Sequence, residues 1–369
     1  MTRIAIIADD LTGSLDTASP FACRGMDVRV ALDSDAIDDA LKRSPDVIAV
    51  STNSRGLPPD QASHAAWNAA ERLQHWQPDL ILKKIDSRLK GNIGPETLAI
   101  AQVFQPTRIV AAPAVPDQGR IVRRGQVEGM GVEKALDVAA CFVGLPFAVS
   151  VPDCETDVDL VGVAETWQPR DGKLFVCARG LAVAFAESLG KTIASKKFIV
   201  ASPVIMAIGS RDPVTLKQVS ILRAKAGNFI VVEAPQGHMP DHIGDRTLKV
   251  FICSGEMAKS PNVVAKIFAQ TITSEVIRTR PSTLLLTGGD TAVAVLRALE
   301  CRILQVCGEA APGLPWFEIH LGSGPRITTI SKSGGFGSPD ILSRLVVPEG
   351  RDMLAERQES GAGDIHGPN

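Results

Sequence analysis

The chain contains no tyrosine, and Phe and Trp together supply only 4% of its 369 residues. A surface built to stack nucleobases needs aromatic faces, so that class is disfavoured. Basic excess is missing too: 39 Lys and Arg stand against 41 Asp and Glu, a formal net charge of −2. The electrostatic footprint of a nucleic-acid binder is therefore absent. No CxxC pair occurs among Cys23, Cys141, Cys154, Cys177, Cys253, Cys301 and Cys307. Their odd number and wide spacing predict reduced core thiols rather than a disulfide framework or a zinc site. No stretch reaches about 18 uninterrupted apolar residues, so no membrane span is expected. The opening MTRIAIIADD lacks the long apolar run and small-residue cleavage site of a secretory signal. These features together predict a cytoplasmic protein with no nucleic-acid or membrane partner. A Walker A loop (GxxxxGK[ST]) is missing, and no GxGxxG follows the first apolar run.

What is present is an alternation of short apolar runs and helical patterns. Ile4–Ala8, Val28–Leu32, Val47–Val50, Leu80–Ile85 and Arg108–Ala112 read as strands. Ser14–Arg24, Ala36–Lys42, Asp60–Trp76 and Pro95–Phe104 read as the helices between them, with Gly25 as a stop and Pro95 in a first turn. A second series follows. Its strands are Val204–Ile208, Phe229–Val232, Val250–Cys253, Thr283–Leu286 and Arg302–Val306, and its helices Val214–Ala226, Val263–Arg278 and Thr291–Leu299. Repeated strand–helix units imply an α/β protein with mostly parallel sheets flanked by helices. At about 150 residues per domain the length suits two domains with an active site in the cleft between them. The polar, Lys-rich segment 190–197 sets the boundary, giving domains 1–195 and 196–347. Residues 348–369 are polar and read as a flexible tail.

Ligands of open α/β sheets bind beyond the C-terminal strand ends. The first such loop, ADDLTGSLD, carries Asp9, Asp10, Thr12 and Asp16. One acid is enough to cap the following helix, so a pair points to substrate hydroxyls or a hydrated cation. Adjacent extended residues face opposite ways, which predicts one acid toward the substrate (Asp10 favoured) and the other bracing the turn. STNSRG adds Asn53 and Arg55 as hydroxyl and carboxylate binders. KKIDSRLKGNIG places Lys84, Asp86, Ser87, Arg88 and Lys90 in one loop, an anion cradle of fork and point charges. Gln118 and Arg120, in AAPAVPDQGR after the fifth apolar run, are expected to reach inward.

In the second half, LLLTGGDTA runs an apolar strand through Gly288 and Gly289 into a helix opened by Asp290 and Thr291. Free N–H groups and the positive helix end favour phosphate there, and Asp290 could equally be the helix N-cap. Ser210 in IGSRDPVT and Gly335 in KSGGFG belong to two further Gly/Ser turns. Three such turns suggest a nucleotide. His238-Met239-Pro240-Asp241-His242 does not read as a metal site, because Pro240 breaks the helix that would align the two His.

ADDLTGSLD, KKIDSRLKGN, GSRDPVT, TGGDTA and KSGGFG occur in this order over residues 4–346, and the chain resembles the four-carbon acid sugar kinase family. The resemblance implies phosphorylation of the terminal hydroxyl of a threonate, erythronate or 3-oxo-tetronate by ATP, with Mg²⁺ as its companion ion. It implies an N-terminal domain for the acid sugar (Asp9, Asp10, Thr12, Asp16, Lys84, Asp86, Ser87, Arg88). It also implies a C-terminal domain for ATP (Ser210, Gly288, Gly289, Asp290, Thr291, Gly335). Two departures stand out. Ser87-Arg88-Leu89-Lys90-Gly91 replaces a more usual S-T-L-R-G, and Asp212 ends the turn that the family writes G-S-x-S. Asp10, Asp86 and Asp290 are the candidates for the base, with Asp10 favoured. A nicotinamide-dependent dehydrogenase of a small hydroxy acid and a non-catalytic effector or regulator on a kinase scaffold also stay open, as does a homo-oligomeric state. The missing GxGxxG weighs against the first, and the Gly turns and charged loops weigh against the second.

Overall fold

Strands covered by helices on both faces must be apolar along their whole length. In the computed structural model of the protein, all five residues of β1 (Ile4–Ala8) are fully buried. The structure describes residues 2–346 except 191–197, 226–228, 240–242, 245, 256–259, 322–323 and 325. The expected domain boundary at 195/196, the tail, and Pro240, Asp241 and His242 lie outside the described residues.

The first half contains β2 (Val28–Ala31), β3 (Val47–Ser51), β4 (Leu80–Lys84), β5 (Arg108–Ala112), β6 (Arg120–Arg123), β7 (Gln126–Gly129), β8 (Leu136–Asp137), β9 (Val149–Ser150) and β10 (Lys173–Cys177). Its helices are α1 (Leu11–Cys23), α2 (Ile37–Leu41), α3 (Pro59–Gln74), α4 (Ile93–Phe104), α5 (Asp157–Glu165) and α6 (Arg179–Leu189). The second half contains β11 (Val204–Ile208), β12 (Phe229–Pro235), β13 (Leu248–Ser254), β14 (Thr283–Thr287), β15 (Ile303–Ala311), β16 (Leu314–His320) and β17 (Arg326–Lys332). Its helices are α7 (Pro213–Ala224), α8 (Pro261–Thr279), α9 (Gly289–Ala298) and α10 (Ile341–Val346). The helices start where proline and capping signals put them. Pro59, Pro213 and Pro261 occupy first turns, where a missing N–H is harmless. Buried faces follow the helical period, as with Phe268, Ile272 and Val276 of α8. Each such side chain contributes about 1.5–3 kcal/mol on burial.

The two parallel sets join edge to edge into one fourteen-stranded sheet among the described residues, in the order β12-β13-β11-β14-β17-β16-β15-β2-β3-β1-β4-β10-β5-β9. The seam is antiparallel: Ile303 pairs with Ala31 and Val306 with Val28. Three successive antiparallel pairings, β2–β15, β15–β16 and β16–β17, leave the second parallel set running opposite to the first. Twist of roughly 20–25° per strand pair then turns the two sets of strand ends toward each other. A second, three-stranded antiparallel sheet, β6-β7-β8, stands beside the first half. All seven Cys are free thiols, and no helix among the described residues is long and apolar enough to cross a membrane.

Candidate active site

Loops from both halves line one cleft of about 710 Å³. Asp10, Thr12, Asp16, Arg55, Lys84, Asp86, Ser87 and Arg88 line it from the first half, and Ser210, Gly288, Gly289, Asp290, Thr291 and Gly335 from the second. Three of the expected residues do not. Asp9 is buried beneath the loop, its carboxylate held bidentately by Arg55 at 2.8 Å. Asn53 takes a left-handed conformation (φ 50°) and donates Nδ2 to the Leu32 carbonyl at 3.1 Å. Lys90 is exposed outside the cleft, because Leu89 turns left-handed (φ 56°) to pack its side chain against the core.

The paired acids do not face apart. Both converge on Arg55, whose Nη1 reaches Asp10 Oδ2 at 2.7 Å. Asp10 is also the N-cap of α1, accepting from Gly13 N at 2.7 Å and from Thr12 Oγ1 at 2.8 Å. Both Asp10 carboxylate oxygens are already engaged by these donors, so its geometry does not fit the role of base for which it was favoured. Burial opposes charge on Asp9, but Lys83 and the Arg55 hydrogen bonds outweigh it and lower the pKa. The two lysines ending β4 alternate as strand residues do. Lys83 is buried and paired with Glu96 at 2.5 Å, whereas Lys84 lines the cleft.

Asp16 lies one turn beyond Thr12 on the same face of α1. Its side chain is 16% exposed, and Oδ1 has no hydrogen-bond partner. Arg179 Nε lies 3.2 Å from that oxygen, an electrostatic contact without hydrogen-bond alignment. Desolvation raises the Asp16 pKa to about 6, against the charges of Lys84 and Arg179 and with those of Glu309 and Asp10. Asp86 is engaged from behind by Arg88 N at 2.7 Å, and Asp290 is exposed in the first turn of α9. The N-cap of α9 is Gly288, not Asp290.

Arg179 escaped the sequence reading. It opens α6 directly after β10, and its Nη groups reach Asp117 and Glu309 at 3.0 Å. Glu309 belongs to β15, so this cluster ties the halves together across the cleft floor. The signal was available: KLFVC followed by RGLAVAFAESL is one more strand running into a helix. Lys332, at the end of β17, is fully buried under the third Gly turn and donates to Thr215 Oγ1 and the Ser333 and Gly334 carbonyls. Desolvation lowers its pKa to about 8, against the Asp212 charge.

The three Gly turns pack on one another. A Cβ on Gly334 would lie 2.4 Å from Ser210 Oγ, and one on Gly288 (φ 90°) would lie 3.2 Å from Ser210 N. Thr12 sits 3.5 Å from where a Gly289 Cβ would be, so the N-termini of α1 and α9 meet at the cleft. Positive helix ends beside bare backbone are suited to phosphate.

Comparison with known proteins agrees with this geometry. Residues 4–136 match a sugar-binding N-terminal domain, and residues 254–342 a nucleotide-binding C-terminal domain. A D-threonate kinase of Salmonella typhimurium is 27% identical, over 92% of this chain and 96% of its own. A 3-oxo-tetronate kinase of Pectobacterium atrosepticum is 25% identical, over 93% of this chain and 98% of its own. The crystal structure of a Haemophilus influenzae protein of the DUF1537 family has the same fold, with a TM-score of 0.70 at 20% identity, covering 92% of this chain and 98% of that one. With both domains matched in order and the similarity extending over nearly the whole chain, the protein belongs to the four-carbon acid sugar kinase family.

Proposed function

We propose that the protein transfers the γ-phosphoryl group of ATP to the terminal hydroxyl of a four-carbon sugar acid. The observation that carries this reading is one cleft lined on one side by acids and cations and on the other by three interlocked Gly turns. In this reading residues 1–195 hold the acid and residues 196–347 hold the nucleotide. Ser210, Gly289 and Thr291 cradle phosphate through backbone N–H groups and hydroxyls, while bare Gly288, whose N–H is held by the Lys332 carbonyl, lets it approach. Mg²⁺ would arrive with the nucleotide and neutralise phosphate charge; it needs only one or two protein carboxylates, and Asp290 is exposed beside the cradle.

Phosphoryl transfer asks the protein mainly for alignment and charge neutralisation. Lys84, at the end of β4 with its Nζ beside Gly13 of α1, supplies a fixed positive charge near the transferred group. Asp16 takes the proton of the attacking hydroxyl as its oxygen bonds to the γ-phosphorus, and ADP departs. Asp16 replaces Asp10 in this role because its carboxylate faces the cleft without saturating donors.

ADP release measured with ATP, Mg²⁺ and a panel of threonate, erythronate and 3-oxo-tetronate tests the reaction. At least one acid should stimulate release and yield a phosphorylated product. Release that no acid stimulates would falsify the assignment.

The nucleotide cradle has its own test. Gly288→Val places a β-branched residue at φ 90° against Ser210. Calorimetry should show ADP affinity falling by at least about tenfold, since strain of this kind is worth roughly 1–3 kcal/mol. Wild-type affinity in a folded Gly288→Val protein would move the nucleotide elsewhere.

A further inference from the structure

Two guanidiniums in the cleft are already neutralised. Arg55 is held by Asp9 and Asp10, and Arg179 by Asp117 and Glu309 with Asp16 alongside. Arg88 and Arg120 differ. Arg88 Nε lies 3.9 Å from Asp86 Oδ1, beyond hydrogen-bond reach, and its side chain is 43% exposed. Arg120 hydrogen-bonds the neutral Gln118 amide oxygen and, at 3.4 Å, the Met130 carbonyl. Its Nε is buried with no acceptor at all.

The small sheet brings these two side chains together. Arg120 begins β6 and pairs with Gly129 at the end of β7. Gly129 takes φ 106°, and a Cβ there would meet the Gly119 carbonyl at 2.0 Å. Only a glycine lets the hairpin close so tightly and deliver residues 130–131 to the cleft. Arg120 Nη1 then bonds Met130 O, while Arg88 Cδ and Nη1 lie 3.8 and 3.9 Å from a Cβ position on Gly131. The two guanidiniums thus flank one turn. Burial lowers the Arg120 pKa, and the nearby Arg88 charge lowers it further, against the charges of Asp86, Asp117 and Asp16.

We infer that Arg88 and Arg120 form a clamp for the substrate carboxylate, seated against the Met130–Gly131 turn. An anion there relieves the repulsion and satisfies the buried Nε, with the forked donors matching a carboxylate. Asp86 and Gln118, beside the two arginines, are placed to bond the hydroxyl next to that carboxylate. The clamp therefore selects a 2-hydroxy acid over the corresponding polyol or amide. It also sets the direction of the substrate: acid end at the small sheet, terminal hydroxyl toward Asp16 and the Gly turns. This inference rests on the sugar-acid kinase reading and extends it to how the acid is recognised.

The test is calorimetric binding, with kinetics in parallel, of threonate, erythronate and 3-oxo-tetronate, each against its uncharged amide. Wild type is compared with Arg120→Ala and with Arg120→Lys, which keeps the charge and loses the fork. Arg120→Ala should weaken acid binding by about 10- to 100-fold, the range for one charged hydrogen-bond partner, and leave amide binding and the ATP KM unchanged. Arg120→Lys should fall between wild type and Arg120→Ala. Equal losses for acid and amide would mark a merely structural residue and overturn the clamp. So would unchanged acid binding, or failure of all three acids to bind the wild type. Binding needs no turnover, so the two ideas separate. A wild type that binds an acid through Arg120 but releases no ADP refutes the kinase reading and keeps the clamp. Acid-stimulated ADP release that is indifferent to Arg120 does the reverse.

Discussion

Asp16→Asn keeps its fold and loses about 10²–10⁴-fold in kcat, the usual range for one positioned general base. The side chain is nearly isosteric, so packing against α1 is preserved while the proton acceptor is gone. The pH dependence gives a sharper signature. The Asp16 pKa stands at about 6, raised from 3.8 chiefly by desolvation, with Lys84 and Arg179 opposing and Glu309 and Asp10 adding to the rise. A base with that pKa is ionised above about pH 6, so kcat/KM should fall as pH drops through 6. In Asp16→Asn that acid limb should disappear from the residual activity.

Stability should move the other way. A carboxyl with a raised folded pKa is protonated more readily in the folded than in the unfolded chain. Its stabilising contribution is complete below about pH 4 and is lost as pH rises through 6. Above that, the ionised Asp16 costs up to about 3 kcal/mol, by the usual conversion of a pKa difference. Asp16→Asn should therefore melt higher than wild type at pH 8, and the gap should shrink at pH 4. Near-normal turnover in a folded Asp16→Asn enzyme would end this assignment and return the search for the base to Asp86 and Asp290.

The second large effect belongs to Arg179. Its side chain is 9% exposed and faces carboxylates from three parts of the chain: Asp16 on α1, Asp117 before β6 and Glu309 on β15. Ser19 Oγ supports Glu309 from α1 at 2.9 Å. Removing one partner of a buried charge cluster leaves the others uncompensated, which typically costs about 3–5 kcal/mol. Arg179→Ala should lose stability on that scale in thermal or urea unfolding at pH 8. The companion Glu309→Gln should restore part of the loss when combined with Arg179→Ala, because it removes one of the stranded charges. The Arg179 charge lowers the Asp16 pKa, so its removal should also shift the acid limb of kcat/KM above 6. A small stability change with an unmoved limb would mean that the cluster is not coupled to Asp16.

These two residues show where reading the chain alone stops. Parallel strands buried on both faces, such as IAIIA and TLLLT, are continuous apolar runs and are plain in the sequence. The strands β9, β10, β16 and β17 and the small sheet β6-β7-β8 escape that reading. RIVR mixes polar with apolar residues because an edge strand needs only one apolar face, and WFEIH carries Glu318 and His320 at its less buried end. The loops after β1, β4, β11 and β14 were legible for a local reason, since a strand running into a helix through glycine exposes backbone donors whatever surrounds it.

What the sequence determined by itself was therefore the local grammar: the α/β class, the order of strands and helices, and the charged and glycine-rich loops at their junctions. These follow from short-range periodicity and from the conformational limits of glycine and proline. Only the tertiary structure decided that Asp10 caps a helix while Asp16 faces the cleft, since the helical period puts Thr12 and Asp16 on one face of α1 but does not say which surface that face meets. Only it brought Arg179 within 3.0 Å of Glu309, 130 residues away in the chain. The antiparallel seam between β2 and β15, which joins the halves into one sheet, depends likewise on pairing between distant segments. Strand order, burial and the pKa of a carboxylate are set by what long-range packing places beside each residue, and no local pattern encodes that.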